Sequence, residues 1–410
     1  MGTAGLVRRR GVPHGRARVP HRSARQVVAP GVAGVVESGS DAGRSQPPMK
    51  RIHELDGIRG IAILLVVMCH TVTCQIPWSH FLPSDNAARF LMLGWTGVDL
   101  FFILSGFLIV GLLLDEKGRA RYFRSFYARR VCRILPLYYA VTVAYLLLHR
   151  SGWIQSGWLF ANLLPEWSYL TFTQNFFMHK AGWGALGLAP TWSVAVEEQF
   201  YLLIPLLVFL LNRRQLAGLF VLAIAAAPFL RHEVGTLGAY TFPHTRTDAI
   251  LTGGLLAMLY RWPAAWAMVK KNARLGVLLL PLPPVAVWLL MGRQAGMGDK
   301  YLHLVLAGGF GLLVLLTLTR RFSWWSRFLQ NRFLLWLGLR SYAIYLLHEP
   351  VGGVLRALLR PSPEPSFRDW GDAGITLLIF AVVAGLAELS FRFFEGPMLR
   401  LGHRYARKGY

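Results

Sequence analysis

Residues 54–70 read ELDGIRGIAILLVVMCH, a run as apolar as a membrane helix that nevertheless carries Arg59 at its mouth and His70 well inside. Extended to residue 76, it is long enough to cross a ~30 Å hydrocarbon core at ~1.5 Å per residue. Arg59 and His70 stand eleven positions apart, which on an α-helix is ~20° in direction and ~16 Å in height. They share one face, and a shared face inside a membrane predicts a polar cavity serving both. Each also has a plainer reading: Arg59 as a flank residue snorkelling to the interface, His70 as a buried imidazole bonded to a backbone carbonyl.

The rest of the chain repeats the apolar theme. Of its 410 residues 54% are hydrophobic, 13% aromatic and only 16% charged, a balance that points to a polytopic membrane protein. Ten spans are expected, over 58–76, 90–114, 134–149, 193–211, 215–230, 248–260, 275–291, 302–319, 333–352 and 373–391. The fold class is therefore an all-α transmembrane bundle. A formal net charge of +24 would suggest nucleic acid for a soluble chain; here Lys and Arg gathered in cytoplasmic loops near anionic headgroups account for it, and no nucleic-acid partner is expected. The segment 158–178, interrupted by Pro165, Glu166 and Asn175, decides the topology. Read as re-entrant or surface-lying, it leaves the basic stretches at 116–133, 212–214, 261–274 and 320–332 all inside, and both chain termini cytoplasmic.

Residues 1–48 read as a disordered basic tail, with Met49 a natural start, residues 49–400 as one membrane domain, and 401–410 as a basic cytoplasmic tail. Cys69, Cys74 and Cys132 offer neither a disulfide framework nor metal-ligand spacing and are read as packing thiols, and no metal is expected.

Polar residues recur where a bilayer should have excluded them. In GWTGVDLFFILSGFLIVGLLL, 94–114, Asp99 needs an Arg or His from a neighbouring helix, while Gly106 suits close helix packing beside Ser105. In FYARRVCRILPLYY, Arg129, Arg130 and Arg133 fan over one flank if the helix extends into the interface, a fork suited to phosphate oxygens as well as to positive-inside anchoring. In TWSVAVEEQFYLLIPLL, 191–207, Glu197 shares a face with Tyr201, which ranks Glu197 ahead of Glu198. His244, Arg246 and Asp248 stand at the mouth of one later span and His348 at the outer end of another.

Taken in order, ELDGIRGIAILLVVMCH, GVDLFFILSGFLI, FYARRVCRILPLYY, TWSVAVEEQFYLLIPLL, RTDAILTGG, LGLRSYAIYLLHEP and FRFFEGP resemble the membrane-bound acyltransferase-3 family over residues 53 to about 400. Any one piece is moderately specific; seven in order are much more so. The resemblance implies a multi-pass cell-membrane O-acyltransferase that moves an acyl group, acetyl above others, from acyl-CoA to a hydroxyl of a glycan, a glycosylated small molecule or a macrolide. It implies acyl-CoA as co-substrate rather than a permanently bound cofactor. The family's paired arginine and histidine match Arg59 and His70, and its basic third-helix element matches Arg129, Arg130 and Arg133. Ala195 stands where a small polar residue is common. No SGNH hydrolase-like domain follows, so the membrane domain is expected to handle the acceptor itself or to pass the acyl group to another protein.

Acyl transfer to a hydroxyl needs a base, oxyanion donors and a site for a highly charged leaving group. Arg129, Arg130 and Arg133 are assigned to CoA phosphates, His70 to the base, Glu197 to orienting it, and Arg59 to steering the donor or stabilising negative charge. Asp99, Ser105, Glu198, Tyr201, Arg246, Asp248 and His348 are candidates for acceptor contact or support. Direct transfer is preferred over a covalent carrier at Ser105, because the sequence ties no base to that serine. The competing class is a transporter or flippase, since buried charges at both ends of a bundle also describe a permeation route.

Overall fold

The computed structural model describes residues 51–76, 92–292, 299–361, 367 and 369–407. These lie in one unit spanning residues 46–410; the tail expected over 1–48 falls outside the described residues. Among the described residues no strand occurs. The helices are α1 His53–Met68, α2 Gly97–Glu116, α3 Tyr122–Ser151, α4 Glu166–Leu170, α5 Gln174–Ala181, α6 Thr191–Leu210, α7 Arg213–His232, α8 Gly235–Thr241 and α9 Thr247–Tyr260. They continue with α10 Pro263–Lys271, α11 Ala273–Leu279, α12 Leu282–Gly292, α13 Leu302–Thr319, α14 Ser323–Leu329, α15 Arg332–Leu359, α16 Trp370–Ser390 and α17 Gly396–Arg407.

Among the described residues, eight helical stretches are long and apolar enough to cross a membrane: His53–Thr73, Met92–Glu116, Tyr122–Ser151, Leu186–Leu210, Arg213–His232, Ala273–Leu290, Leu302–Thr319 and Trp370–Ala406. Two of the ten expected spans fall outside this set. The helix α9 has only 14 residues, and α15, although 28 residues long, is diluted by Arg340, His348, Glu349 and Arg356. The segment 158–178 forms no crossing helix. Pro165 caps the five-residue α4, Phe172 turns through a left-handed φ of 55°, and α5 restarts for eight residues. The basic 122–133 stretch and the third expected span are one continuous helix, α3, so the arginines ride on a rigid rod.

The bundle is built by close crossings and an inverted distribution of polarity. The most intimate contacts join α2 to α9 and α1 to α15. A Cβ on Gly106 would sit 1.8 Å from the Ile250 carbonyl oxygen, and one on Gly338 would sit 1.9 Å from that of Asp56. Only glycine allows backbones so near, which is how helices associate where lipid removes the hydrophobic drive. Outward positions such as Leu202, Leu222, Phe229 and Leu278 are 70–72% exposed, as a lipid-facing surface requires, while Asp99, Arg246, Asp248 and His348 are fully buried. The C-terminal α17 lies along α3, with Gly402 against Cys132. Of the three free thiols, Cys69 is buried and Cys132 half-buried, whereas Cys74 is exposed. The packing reading fails for Cys74, which lies just past the end of the first helical stretch.

Candidate active site

Two adjoining cavities run beside α1. The larger, ≈ 450 Å³, is lined by Arg51, Asp56, Arg59, Arg129, Arg130 and Arg133 together with Leu399 of α17. The second, ≈ 390 Å³, shares Arg59, Arg130 and Arg133 and continues between α2, α6 and α15 past Phe101, Ser105, Glu197, Tyr201, Tyr342 and Tyr345. Arg59 lies 3.5 Å from Asp56, whose other oxygen accepts from Arg51 Nε at 2.8 Å. The three α3 arginines divide their work. Arg129 donates to Ser125 Oγ at 2.6 Å and to Glu116 Oε2 at 2.5 Å, so it is tied back to the scaffold. Arg133 lies 3.7 Å from Glu395 and 5.8 Å over the Tyr342 ring. Arg130 stacks 5.8 Å over Tyr201, and its buried Nε has no hydrogen-bond partner among the described residues. An unspent buried donor on a cavity wall is costly unless a ligand accepts from it.

Across that wall runs a chain of hydroxyls. Tyr201 donates to Glu197 Oε2 at 2.8 Å, one helical turn back on α6, as the shared face of the two residues predicts. The Tyr201 oxygen also lies 2.5 Å from Ser105 Oγ on α2. A phenol has one proton, and the carboxylate holds it, so the serine donates to the tyrosine. Glu198 points elsewhere, with one buried oxygen unpartnered among the described residues.

The second polar centre lies further along α1. At Cys69 the α-helix opens into a π-helical turn, Cys69–Thr73, which winds less per residue and re-aims His70. His70 is accordingly not on the wall of either arginine cavity, contrary to the single cavity expected from ideal α-helical geometry. Its ring stacks on His348, centroids 5.2 Å apart, with His70 Nδ1 2.9 Å from His348 Nε2. Glu349 Oε1 lies 3.5 Å from His70 Nδ1. The partner assigned to His70 was Glu197; its neighbours in the fold are His348 and Glu349, because α15 and not α6 packs along α1. His348 Nδ1 lies 2.7 Å from the Tyr345 carbonyl oxygen, an acceptor only, and therefore carries a hydrogen. With both rings neutral, His348 Nε2 accepts from His70 Nδ1–H, and the free lone pair of the pair sits on His70 Nε2. Tyr345 joins the two centres: its ring lines the smaller cavity and approaches His348 at 5.8 Å.

His70, His348 and Glu349 each offer one ligand atom within 4.8 Å of the others, a composition that a metal ion accepts. Two nitrogens on one tetrahedral zinc would stand ~3.3 Å apart. The observed 2.9 Å is the separation of a hydrogen bond.

Asp99, Arg246 and Asp248 come together elsewhere. Arg246 donates to Asp99 Oδ1 at 2.5 Å and contacts His303, which itself lies 3.6 Å from Asp99. Arg231 donates to Asp248 at 2.9 Å. Asp99 thus finds both the arginine and the histidine that its position demanded, and none of the three residues lines either cavity. Their packing makes them a buried network between α2, α7, α9 and α13 rather than acceptor contacts.

The family model described as an acyltransferase domain, that of the acyltransferase-3 family, matches residues 52–388. The chain belongs to the acyltransferase-3 family. Among curated proteins it is similar to the peptidoglycan O-acetyltransferase OatA of Listeria monocytogenes serovar 1/2a, 26% identical over 384 residues covering 88% of this chain and 58% of that protein. It is also similar to the O-acetyltransferase OatA of Staphylococcus aureus strain NCTC 8325 / PS 47, 26% identical over 376 residues, 85% of this chain and 57% of that protein. The chain thus spans a little over half the length of these relatives. No solved structure matches it. Within this acyltransferase-3 chain, sequence reasoning overlooked Glu349, His303 and Arg231. Glu349 was legible as a second polar residue beside His348 in HEP; His303 and Arg231 sit at span ends, where polar residues are ordinary.

Proposed function

We propose that this acyltransferase-3 chain is a multi-pass membrane O-acyltransferase that moves a short acyl group, acetyl above others, from acyl-CoA to a hydroxyl on a glycan, a glycosylated small molecule or a macrolide. The observation that carries the donor assignment is the pair of cavities sharing Arg59, Arg130 and Arg133. A cluster of guanidinium groups with spare buried donors suits the phosphates of CoA, and the smaller, largely apolar cavity suits the pantetheine arm. The named O-acetyltransferase relatives support the acetyl group and the hydroxyl acceptor. His70 Nε2 takes the acceptor proton, held in the right tautomer by His348, as a general base near neutral pH requires.

In this reading α9 and α15 join the eight long apolar stretches to make ten spans, with both ends of the membrane domain in the cytoplasm and the arginine cavities opening there. The 14 residues of α9 reach ~21 Å; α8 and the turn Pro243–Thr245 supply the remaining depth within protein. The test is transfer itself. Membranes holding the protein, supplied with labelled acetyl-CoA and candidate hydroxyl acceptors, are expected to place label in an alkali-labile ester. Movement of acceptor across the membrane without esterification would defeat the proposal in favour of transport.

A further inference from the structure

The structure supplies Ser105 with what its sequence lacked, a tied proton acceptor. We propose that Ser105 carries the acyl group as a covalent ester between donor and acceptor, with Tyr201 and Glu197 as its proton relay; the inference rests on the acyl-CoA reading above. Ser105 Oγ, Tyr201 OH and Glu197 Oε2 form one directed chain of 2.5 and 2.8 Å. All three residues line the smaller cavity with Arg59, Arg130 and Arg133. Serine in a membrane helix commonly spends its hydroxyl on a carbonyl one turn back, as Ser341 does on Gly338 and Thr71 on Val67. The bond found for Ser105 goes across to another helix instead. A nucleophile bonded to an acceptor that is itself oriented by a third group is the general arrangement of an activated hydroxyl.

The chemistry closes. In the first step Ser105 Oγ bonds to the thioester carbonyl carbon, the C–S bond breaks, and CoA leaves as the thiolate. The serine proton passes to the Tyr201 oxygen as the Tyr201 proton passes to Glu197 Oε2. In the second step the acceptor oxygen bonds to the ester carbon, the C–Oγ bond breaks, and Ser105 recovers its proton from Glu197 through Tyr201. The acceptor proton leaves on His70, which releases it to solvent as the thiolate takes one from solvent, so acyl-CoA and alcohol become ester and CoA thiol and every side chain is restored.

The experiment uses the full chain in lipid nanodiscs with radiolabelled acetyl-CoA and no acceptor. Expected is a burst of hydroxylamine-labile label, located on Ser105 by mass spectrometry and discharged when acceptor is added. Ser105→Ala is expected to lose label and to lose ~10²-fold or more in transfer while binding acetyl-CoA as before. Transfer by Ser105→Ala near the normal rate, or label on another residue, overturns the proposal in favour of direct transfer. Should that variant fail to fold, Tyr201→Phe keeps the ring and removes the relay. It is expected to slow the burst ~10²-fold at unchanged acetyl-CoA affinity, and an unchanged burst overturns the relay. A wild-type protein that neither binds acetyl-CoA nor transfers its acetyl group defeats the donor reading as well, a result distinct from transfer that survives without Ser105.

Discussion

At the scale of single residues the division of labour is set by hydrogen-bond direction. His348 is fully buried, and its Nδ1 is pinned to the Tyr345 carbonyl, so its effect on chemistry is to hold His70 with Nε2 free. His348→Ala is therefore expected to lower kcat ~10²-fold with little change in the KM for acetyl-CoA, and His70→Ala to lower it at least as far. Steady-state kinetics on both variants separate this positioning role from a packing role, which would move thermal stability and both constants together. Arg130 and Arg129 are adjacent yet predicted to differ. Arg130 lines both cavities; Arg129, whose Nε is likewise unpartnered among the described residues, lines only the larger one and is bound to Ser125 and Glu116. Arg130→Ala should weaken acetyl-CoA binding ~10-fold or more, as loss of a charge-assisted bond does, and Arg129→Ala should weaken it less, measured by equilibrium binding. The sequence placed all three arginines on one flank; which of them is spent on the scaffold depended on where Glu116 falls after the helix turn, which no spacing within α3 encodes.

Helices and their joints make their own predictions. The crossing of α2 and α9 leaves no room at Gly106, 1.8 Å from the Ile250 carbonyl oxygen for any added Cβ. Backbone cannot yield as a flexible side chain does, so Gly106→Val should abolish stable folding, read as loss of the monodisperse peak in detergent. Between α15 and α16 the chain is clamped by Arg360, whose guanidinium pairs with both carboxylate oxygens of Asp369. Asp369 also caps α16 through the Gly371 and Asp372 amides at 2.8 and 3.1 Å. The Arg360 bonds, then the cap, pull its carboxyl down to about 2. A carboxyl lowered on folding contributes stability that is full above its unfolded value of ~3.9 and is lost as pH falls through the folded one. Amide exchange at Gly371 should thus stay slow down to about pH 3 and rise as the pH approaches 2, whereas Asp369→Asn should speed it at neutral pH. The pattern of apolar runs foretold the long apolar helices and not the short α4, α5, α8, α10 and α14. It misjudged the turn at His70, because a π-helical insertion leaves no mark in hydrophobic periodicity.

For the whole molecule, the buried Asp99, Arg246 and His303 group with the Arg231–Asp248 pair ties four helices together away from the cavities. Removing one member strands its partner charge, so Asp99→Ala should destabilise the protein by about 3–5 kcal/mol, seen as a fall in thermal midpoint, with acetyl-CoA affinity retained in the folded fraction. Topology is testable with thiols. The exposed native Cys74 should react with an impermeant reagent from outside the cell, and a cysteine at Arg213 or Tyr405 in a Cys74→Ser background should not; labelling of Arg213→Cys from outside would reverse the orientation. Composition and the order of motifs by themselves determined that this is a helical membrane protein of an acyltransferase family, because apolar length and local patterning are properties of a chain read in one dimension. Only the tertiary structure decided which polar groups meet. It separated His70 from the arginine cavity, gave it His348 and Glu349 in place of Glu197, and joined Ser105 to Tyr201. Those pairings join residues 96 to 279 positions apart, and they follow from helix crossing angles and one π-turn rather than from any local preference of the sequence.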